Sequence, residues 1–260
     1  MTHTQLIEHA ARVLQNARYG VALTGAGIST PSGIPDFRSP GSGLWEHADP
    51  FEVASIYGFR ANPQKFYDWV RPLARLVLQA EPNAAHRALA ALEAQARIRV
   101  VITQNIDNLH QRAGSKNVVE VHGHFREATC LQCNRRVPTQ GFIAEFVARG
   151  SVPHCEKCGG VLKPKAVLFG ENLPFYEVDQ AIRAVEQCDV MLVAGSSLEV
   201  APVSDLPCLA RQRGARLILV NLQPTYVDDQ AEVVLHADVA EVLPQIALAC
   251  GTPHFEYDRT

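Results

Sequence analysis

The 260-residue sequence has no long apolar run, no marked excess of either charge, and only two methionines and two tryptophans. Its longest purely apolar stretches, such as Val190–Ala194, fall far short of the roughly 20 residues that span a bilayer, so no integral membrane protein is expected. Residues Met1–Gln15 carry His3, Glu8, His9 and Arg12 where a secretory signal would need an uninterrupted apolar core, which points to the cytoplasm. With 24 Lys and Arg against 27 Asp and Glu, the net charge of −3 offers phosphate backbones no general attraction. Direct nucleic-acid binding is not expected. The 17 glycines and 16 prolines are too few for a collagen-like chain, and 47% hydrophobic residues are too many for a disordered one. What remains is an ordinary globular composition of about one or two domains with room for a large core.

Strands and helices alternate along the chain. Thr2 and Gln5 have capping-box spacing before the stripe Leu6, Ala10, Val13, Ala17, which predicts an opening helix to about Arg18, ended by Gly20. Val21–Leu23 then runs into Thr24-Gly25-Ala26-Gly27, the pattern of a buried strand entering a tight glycine loop. Ile98–Ile102, Val190–Ala194 and Leu217–Val220 repeat it, each followed by polar or small residues. Helices are predicted over Ala84–Gln95 and Val178–Glu186. Such alternation specifies an α/β fold, a parallel sheet with helices on both faces, and places the ligand outside the carboxyl ends of the strands. Thr30–Pro50 is rich in Gly, Pro, Ser and Asp without periodicity, which suggests a functional loop. Cys130–Cys158 reads as a small module inserted in the sheet domain.

Four of the seven cysteines form Cys130-x-x-Cys133 and Cys155-x-x-Cys158, separated by 21 residues. Two chelating turns supply the four thiolates of a tetrahedral zinc, and four protein ligands leave no open position, so the metal is expected to be structural. Cys188, Cys208 and Cys250 lie in apolar contexts and are expected to be buried bystanders. Gly25-Ala26-Gly27 begins like a dinucleotide fingerprint, yet Thr30 stands where the third glycine belongs, and no acidic residue ends a strand about 20 positions later, which disfavours hydride transfer. Gln104-Asn105-Ile106-Asp107 concentrates amides and a carboxylate at a strand end, where Asn105 or Asp107 could also cap the next helix. His122 and His124 in Val121-His122-Gly123-His124 are both candidates, and composition does not choose between them.

Gly25–Arg38 (GAGISTPSGIPDFR), Thr103–His110 (TQNIDNLH), Val121–His124, the four cysteines, Lys163–Pro174 (KPKAVLFGENLP), Gly195–Val200 (GSSLEV) and Val220–Thr225 (VNLQPT) together resemble the sirtuins, in family order, over roughly Ala11–Leu243. The resemblance is strongest to the compact bacterial and archaeal members. It implies an NAD-dependent protein-lysine deacetylase whose Rossmann-like domain, about 1–125 and 165–260, holds an inserted zinc-binding module at about 126–164, with loop 30–50 over the cofactor. Gly25, Ala26, Gly27 and Thr30 would line NAD, with Asp36, Phe37 and Arg38 on the loop that closes over it. Gln104, Asn105, Ile106 and Asp107 would form the nicotinamide and ribose pocket. Gly195, Ser196, Ser197, Asn221 and Leu222 would hold the adenosine half, with Val239, or less favourably Asp238, near the adenine. Of the two histidines, the resemblance selects His122, because the family histidine precedes a glycine.

The chemistry so implied is attack of the acetyl-lysine oxygen on the nicotinamide-bearing ribose carbon. His122 then serves as general base on the ribose hydroxyl, with Asn105 and Asp107 orienting the ribose, and 2'-O-acetyl-ADP-ribose and free lysine result. The partner is an acetylated protein or peptide, inserted as an extra strand between Phe169-Gly170-Glu171 and Ser197–Val200, with Val167 and Phe169 lining the lysine tunnel. Family members that prefer succinyl or malonyl lysine carry a Tyr-x-x-Arg pair, which falls here on Val70 and Leu73. Counted from Tyr67 the cation is also missing, although Arg71 lies one residue further and Pro72 is expected to divert it. Rival readings are an NAD glycohydrolase or mono-ADP-ribosyltransferase, a deacylase for other uncharged groups, and a non-enzymatic zinc-ribbon module, which the intact catalytic residues disfavour.

Overall fold

Thr2 Oγ1 accepts the Gln5 N–H while the Gln5 side chain accepts the Thr2 N–H, and the expected first helix, α1 (His3–Gln15), starts from that box. The computed structural model describes residues 1–251 apart from 38–40, 42 and 45–47. The helix stops earlier than Arg18 because the Arg18 and Tyr19 amides donate to the Asp189 carboxylate, which turns the chain into the sheet. Gly20, expected to end the helix, instead opens strand β1 (Gly20–Thr24). The remaining helices are α2 (Pro50–Val53), α3 (Ile56–Ala61), α4 (Pro63–Gln79), α5 (Ala84–Ala94), α6 (Leu109–Arg112), α7 (Ile143–Arg149), α8 (Phe175–Gln187), α9 (Leu206–Gln212) and α10 (Val239–Ala249). The remaining strands are β2 (Val100–Thr103), β3 (Val118–Glu120), β4 (Glu127–Cys130), β5 (Arg136–Pro138), β6 (Leu162–Pro164), β7 (Val190–Ala194), β8 (Arg216–Val220) and β9 (Val233–Leu235). Thus β2 begins at Val100 where Ile98 was expected, and β8 takes in Arg216, whose guanidinium reaches Glu232 on the way to β9.

Six strands form one parallel sheet in the order β3-β2-β1-β7-β8-β9. The fully apolar strands are explained by cover on both faces. Alternate residues Ala22, Leu192 and Ile218 pack on Leu14, Leu89 and Ile246 of α1, α5 and α10. Val21, Met191 and Leu217 pack on Ala181, Val185 and Ala210 of α8 and α9 on the other face. The strand order reverses between β1 and β7, which opens a crevice above their carboxyl ends. Among the described residues no helix is long and apolar enough to cross a membrane.

After β3 the chain leaves the sheet and builds an antiparallel three-stranded sheet, β5-β4-β6, with α7 beside it. Helix α4 packs against this module: the Tyr67 hydroxyl donates to Leu162 O at 2.5 Å, and its ring meets Phe146 at a centroid distance of 5.0 Å. Helix α4 also runs unbroken through Pro72. Arg71 is diverted by its own hydrogen bonds, not by a break at the proline: Nε donates to Val147 O at 2.9 Å and Nη2 to Ala148 O at 2.5 Å. Cys188 and Cys250 are buried as expected, whereas Cys208 is half-exposed, its Sγ 3.6 Å from the Tyr226 hydroxyl at the protein surface.

Candidate active site and metal centre

The loops after β1 and β7 approach too closely for any side chain at their contact. A Cβ on Gly27 would lie 3.0 Å from Gly195 Cα, and one on Gly195, at φ +60°, would lie 2.3 Å from Ile28 N. Glycines there bring two main-chain loops together at the crevice. Beside them, at the end of β2, Asn105 Nδ2 donates to Gly25 O at 3.0 Å and to Ser29 Oγ at 3.1 Å. Ser29 Oγ in turn donates to Asp107 Oδ2 at 2.7 Å, and the Leu109 amide donates to Asp107 Oδ1 at 2.9 Å. Of the two capping candidates, Asp107 therefore holds the start of α6 while its second oxygen faces Ser29. Burial raises its carboxyl pKa, the Leu109 and Ser29 hydrogen bonds oppose that, and the Glu120 charge adds to the rise. Ser29 is a site residue that the motif alone does not single out, since it lies between the loop glycines and Thr30 and gains its role only through Asn105 and Asp107.

His122 is placed by a similar set of backbone contacts. Val121 N donates to Thr103 O at 3.1 Å and Val167 N to His122 O at 2.9 Å. Gly123, at φ +74°, lies where a Cβ would be 2.1 Å from Lys165 O, so only glycine fits after this histidine. His122 Nδ1 is 3.2 Å from Gln104 O, and a carbonyl only accepts, so Nδ1 carries the proton and Nε2 is left as the basic atom. Burial lowers the pKa of the ring, partly offset by the Gln104 hydrogen bond, so the imidazole is neutral at pH 7. His124 does not line the cavity described below. Burial lowers its pKa too, with Arg126 and Lys165 acting in the same direction against Glu120 and Glu127.

A single cavity of about 1090 Å³ runs across the crevice. Gly25, Ala26, Gly27, Thr30, Asp36, Phe37, Gln104, Asn105, Ile106, Asp107, His122, Gly195, Ser196, Ser197, Asn221, Leu222, Asp238 and Val239 line it, as do Val167, Phe169, Gly170, Glu171 and Val200. Arg38 lies outside the described residues. Gln104 Nε2 donates to Ser196 Oγ at 2.9 Å, tying the two halves of the crevice. Phe66, Trp69, Val70, Leu73 and Val77 of α4 supply an apolar wall, most of which was not anticipated. The described lining includes no lysine or arginine, but it carries the carboxylates Asp36, Asp107, Glu171, Glu199 and Asp238. The main-chain groups of Phe169 are already taken, its N–H by Ala54 O and its C=O by Ile56 N, both at 2.9 Å.

In the small module the sulfurs of Cys130, Cys133, Cys155 and Cys158 lie within 4.8 Å of one another. Cys130 and Cys158 are 3.4 Å apart, and Cys133 and Cys155 3.8 Å. A tetrahedron with zinc–sulfur bonds of about 2.3 Å has edges of about 3.8 Å, so the four thiols are spaced to hold one zinc ion.

The Sir2 family model matches residues 25–202. The chain belongs to the Sir2 family. It is 45% identical over 241 residues to NAD-dependent protein deacylase 2 of Archaeoglobus fulgidus, covering 92% of this chain and 94% of that protein. It is 46% identical over 234 residues to the NAD-dependent protein deacetylase of Caldivirga maquilingensis, covering 90% of each. A solved Sir2–p53 peptide–NAD+ complex superimposes with a TM-score of 0.87 at 40% identity, over 95% of this chain and 99% of that one. The Rossmann-like sheet with its inserted cysteine module is thus the Sir2 architecture.

Two further histidines lie beneath the crevice of this Sir2 chain. His86 and His110 stack at 4.9 Å, and His110 Nε2 is 2.9 Å from Thr24 Oγ1. Burial, reinforced by the charges of His110 and Arg87, lowers His86 to about 2, and burial lowers His110 to about 4. Both rings are neutral in the folded chain and take up protons on unfolding below their ordinary value of about 6.5. Stability conferred by these neutral rings is therefore complete above about pH 6.5 and is lost as pH falls toward 4. The melting temperature is expected to drop over that window with an uptake of about two protons on unfolding, which a series of thermal melts at stepped pH measures.

Proposed function

We propose that this chain is an NAD-dependent protein-lysine deacetylase in which His122 is the general base. The observation that carries the reading is the meeting of a neutral His122, with Nε2 left as its basic atom, and the Asn105–Ser29–Asp107 network in one cavity. When bound, NAD supplies the electrophilic ribose carbon and the hydroxyl that accepts the acyl group. Gly25, Ala26, Gly27 and Thr30 would hold it, with Asp36, Phe37 and Arg38 closing over it and Gly195, Ser196, Ser197, Asn221, Leu222 and Val239 on its adenosine half. Gln104 to Asp107 orient the nicotinamide end. His122 Nε2 takes the hydroxyl proton. Val167 and Phe169 flank the acyl-lysine, and Gly170, Glu171 and Val200 meet the backbone of an extended peptide. Residues 126–164 form the zinc-held module and the rest the cofactor-binding unit. Free thiol pairs at metal spacing suit a reducing cytoplasm.

The test is nicotinamide release from NAD with and without an acetylated peptide. Release that depends on the peptide is expected; peptide-independent release would favour the glycohydrolase or ADP-ribosyltransferase. Because burial lowers the His122 pKa, the acid limb of kcat at saturating substrates is expected below pH 6.5, since the neutral base survives to lower pH than a free histidine would.

The acyl end of the pocket favours uncharged groups. Val70 and Leu73 are buried beside it, and Arg71, one residue beyond Val70, is held by the carbonyls of Val147 and Ala148. A carboxylate there would be desolvated without a partner, so kcat/KM for a succinylated peptide is expected to be at least about tenfold below that for the same peptide acetylated. Equal rates in a side-by-side assay would overturn this.

A further inference from the structure

Among the described residues Lys163 is the one lysine or arginine that the fold buries, at 8% exposure. It stands in β6, opposite Thr129 of β4. Its Nζ donates to Pro164 O at 3.0 Å and to Ala166 O at 2.9 Å, and lies 2.8 Å from Glu171 Oε2. An ammonium has three donors, and here all three are met. The same Glu171 oxygen accepts the Leu168 N–H at 2.9 Å, while the Glu171 N–H donates to Leu168 O at 3.0 Å. Side chain and main chain of Glu171 thus close one tight turn, and Lys163 ties that turn to β6.

All three bonds end within residues 164–171, the segment that brings Val167, Phe169 and Gly170 to the cavity, and none reaches the parallel sheet. Lys163 is not itself among the described lining residues. Burying an ammonium is costly, and for stability alone a well-packed apolar side chain serves as well or better. The main chain of the segment is anchored on either side, Val167 N–H to His122 O and Phe169 to Ala54 and Ile56. The Lys163–Glu171 tie adds the side-chain bond that sets the course of the turn beside those anchors.

We propose that Lys163 is a positioning residue for the peptide: through Glu171 it fixes the turn 168–171 against which the extended acyl-lysine segment pairs. The inference rests on the deacetylase reading. Its three partners include none of the residues assigned to NAD, so the two substrates respond differently to its loss.

Peptide-dependent nicotinamide release, with acetylated peptide and NAD varied in turn, tests it. Lys163→Met is expected to raise the KM for the peptide about tenfold, while the KM for NAD and the zinc content stay unchanged. That change strands the Glu171 carboxylate, which destabilises the fold, so Glu171→Gln is also compared with the double variant Lys163→Met, Glu171→Gln. Neither member of this second pair holds a stranded carboxylate, and they differ only at residue 163. The double variant is expected to have the higher peptide KM by about the same factor, and this comparison decides where Lys163→Met does not fold. An unchanged peptide KM, or a parallel rise in both KM values as a merely structural loss would give, would overturn the positioning role and leave the deacetylase reading in place. Absence of peptide-dependent release by the unaltered protein would overturn that reading, and the inference with it.

Discussion

Replacing His122 by alanine is expected to lower kcat for deacetylation by about 10²–10⁴-fold, with zinc content and melting temperature unchanged. The side chain is only half-buried and its single hydrogen bond is to Gln104 O, so its loss removes the basic nitrogen without orphaning a network. The segment stays in place because it is held by main-chain contacts from Val121 to Thr103 and from Val167 to His122. His124→Ala is expected to be much milder, since His124 does not line the cavity. Steady-state kinetics of the two variants, with thermal melts alongside, separate them; near wild-type turnover by His122→Ala would refute the role of base.

Cys155→Ser is expected to have the largest effect on stability. Three remaining thiolates hold zinc poorly, and because metal binding is coupled to folding the module loses that free energy, lowering the melting temperature by about 10 °C or more. The core of the module is small, with Ala128, Cys130, Cys155 and Leu162 its fully buried members, so few apolar contacts compensate. The loss extends to the active site. Phe146 of α7 packs on Tyr67 of α4, whose neighbours Phe66 and Val70 line the cavity, so kcat/KM falls with the metal. Metal analysis together with a thermal melt decides the matter: one zinc per chain at unchanged stability would contradict a four-cysteine structural site.

Much of the site was legible because it is built at strand ends. The runs Val21–Leu23, Val190–Ala194 and Leu217–Val220 are apolar throughout since the sheet is covered on both faces, and the polar residues that follow each of them meet at its carboxyl edge. Ser29 escaped because its importance comes from two partners, Asn105 and Asp107, that lie 76 and 78 residues away. Similarly, the α4 stripe of Phe66, Trp69, Val70 and Leu73 reads as an ordinary amphipathic face, and nothing local says that it faces a cavity.

The sequence by itself determined the parallel α/β sheet, the four metal-binding thiols and the family motifs that select His122 over His124, because each is a local pattern: an apolar run, a two-residue chelate spacing, a histidine before glycine. Only the tertiary structure decided that Arg71 turns to the carbonyls of Val147 and Ala148 and does not line the cavity. It alone showed Gln104 O holding His122 by Nδ1, and α4 leaning on the inserted module through Tyr67 and Phe146. Those outcomes turn on which of several hydrogen-bond partners or apolar faces a side chain finds across the folded chain, and that choice is made by packing between distant segments, not by the residues beside it.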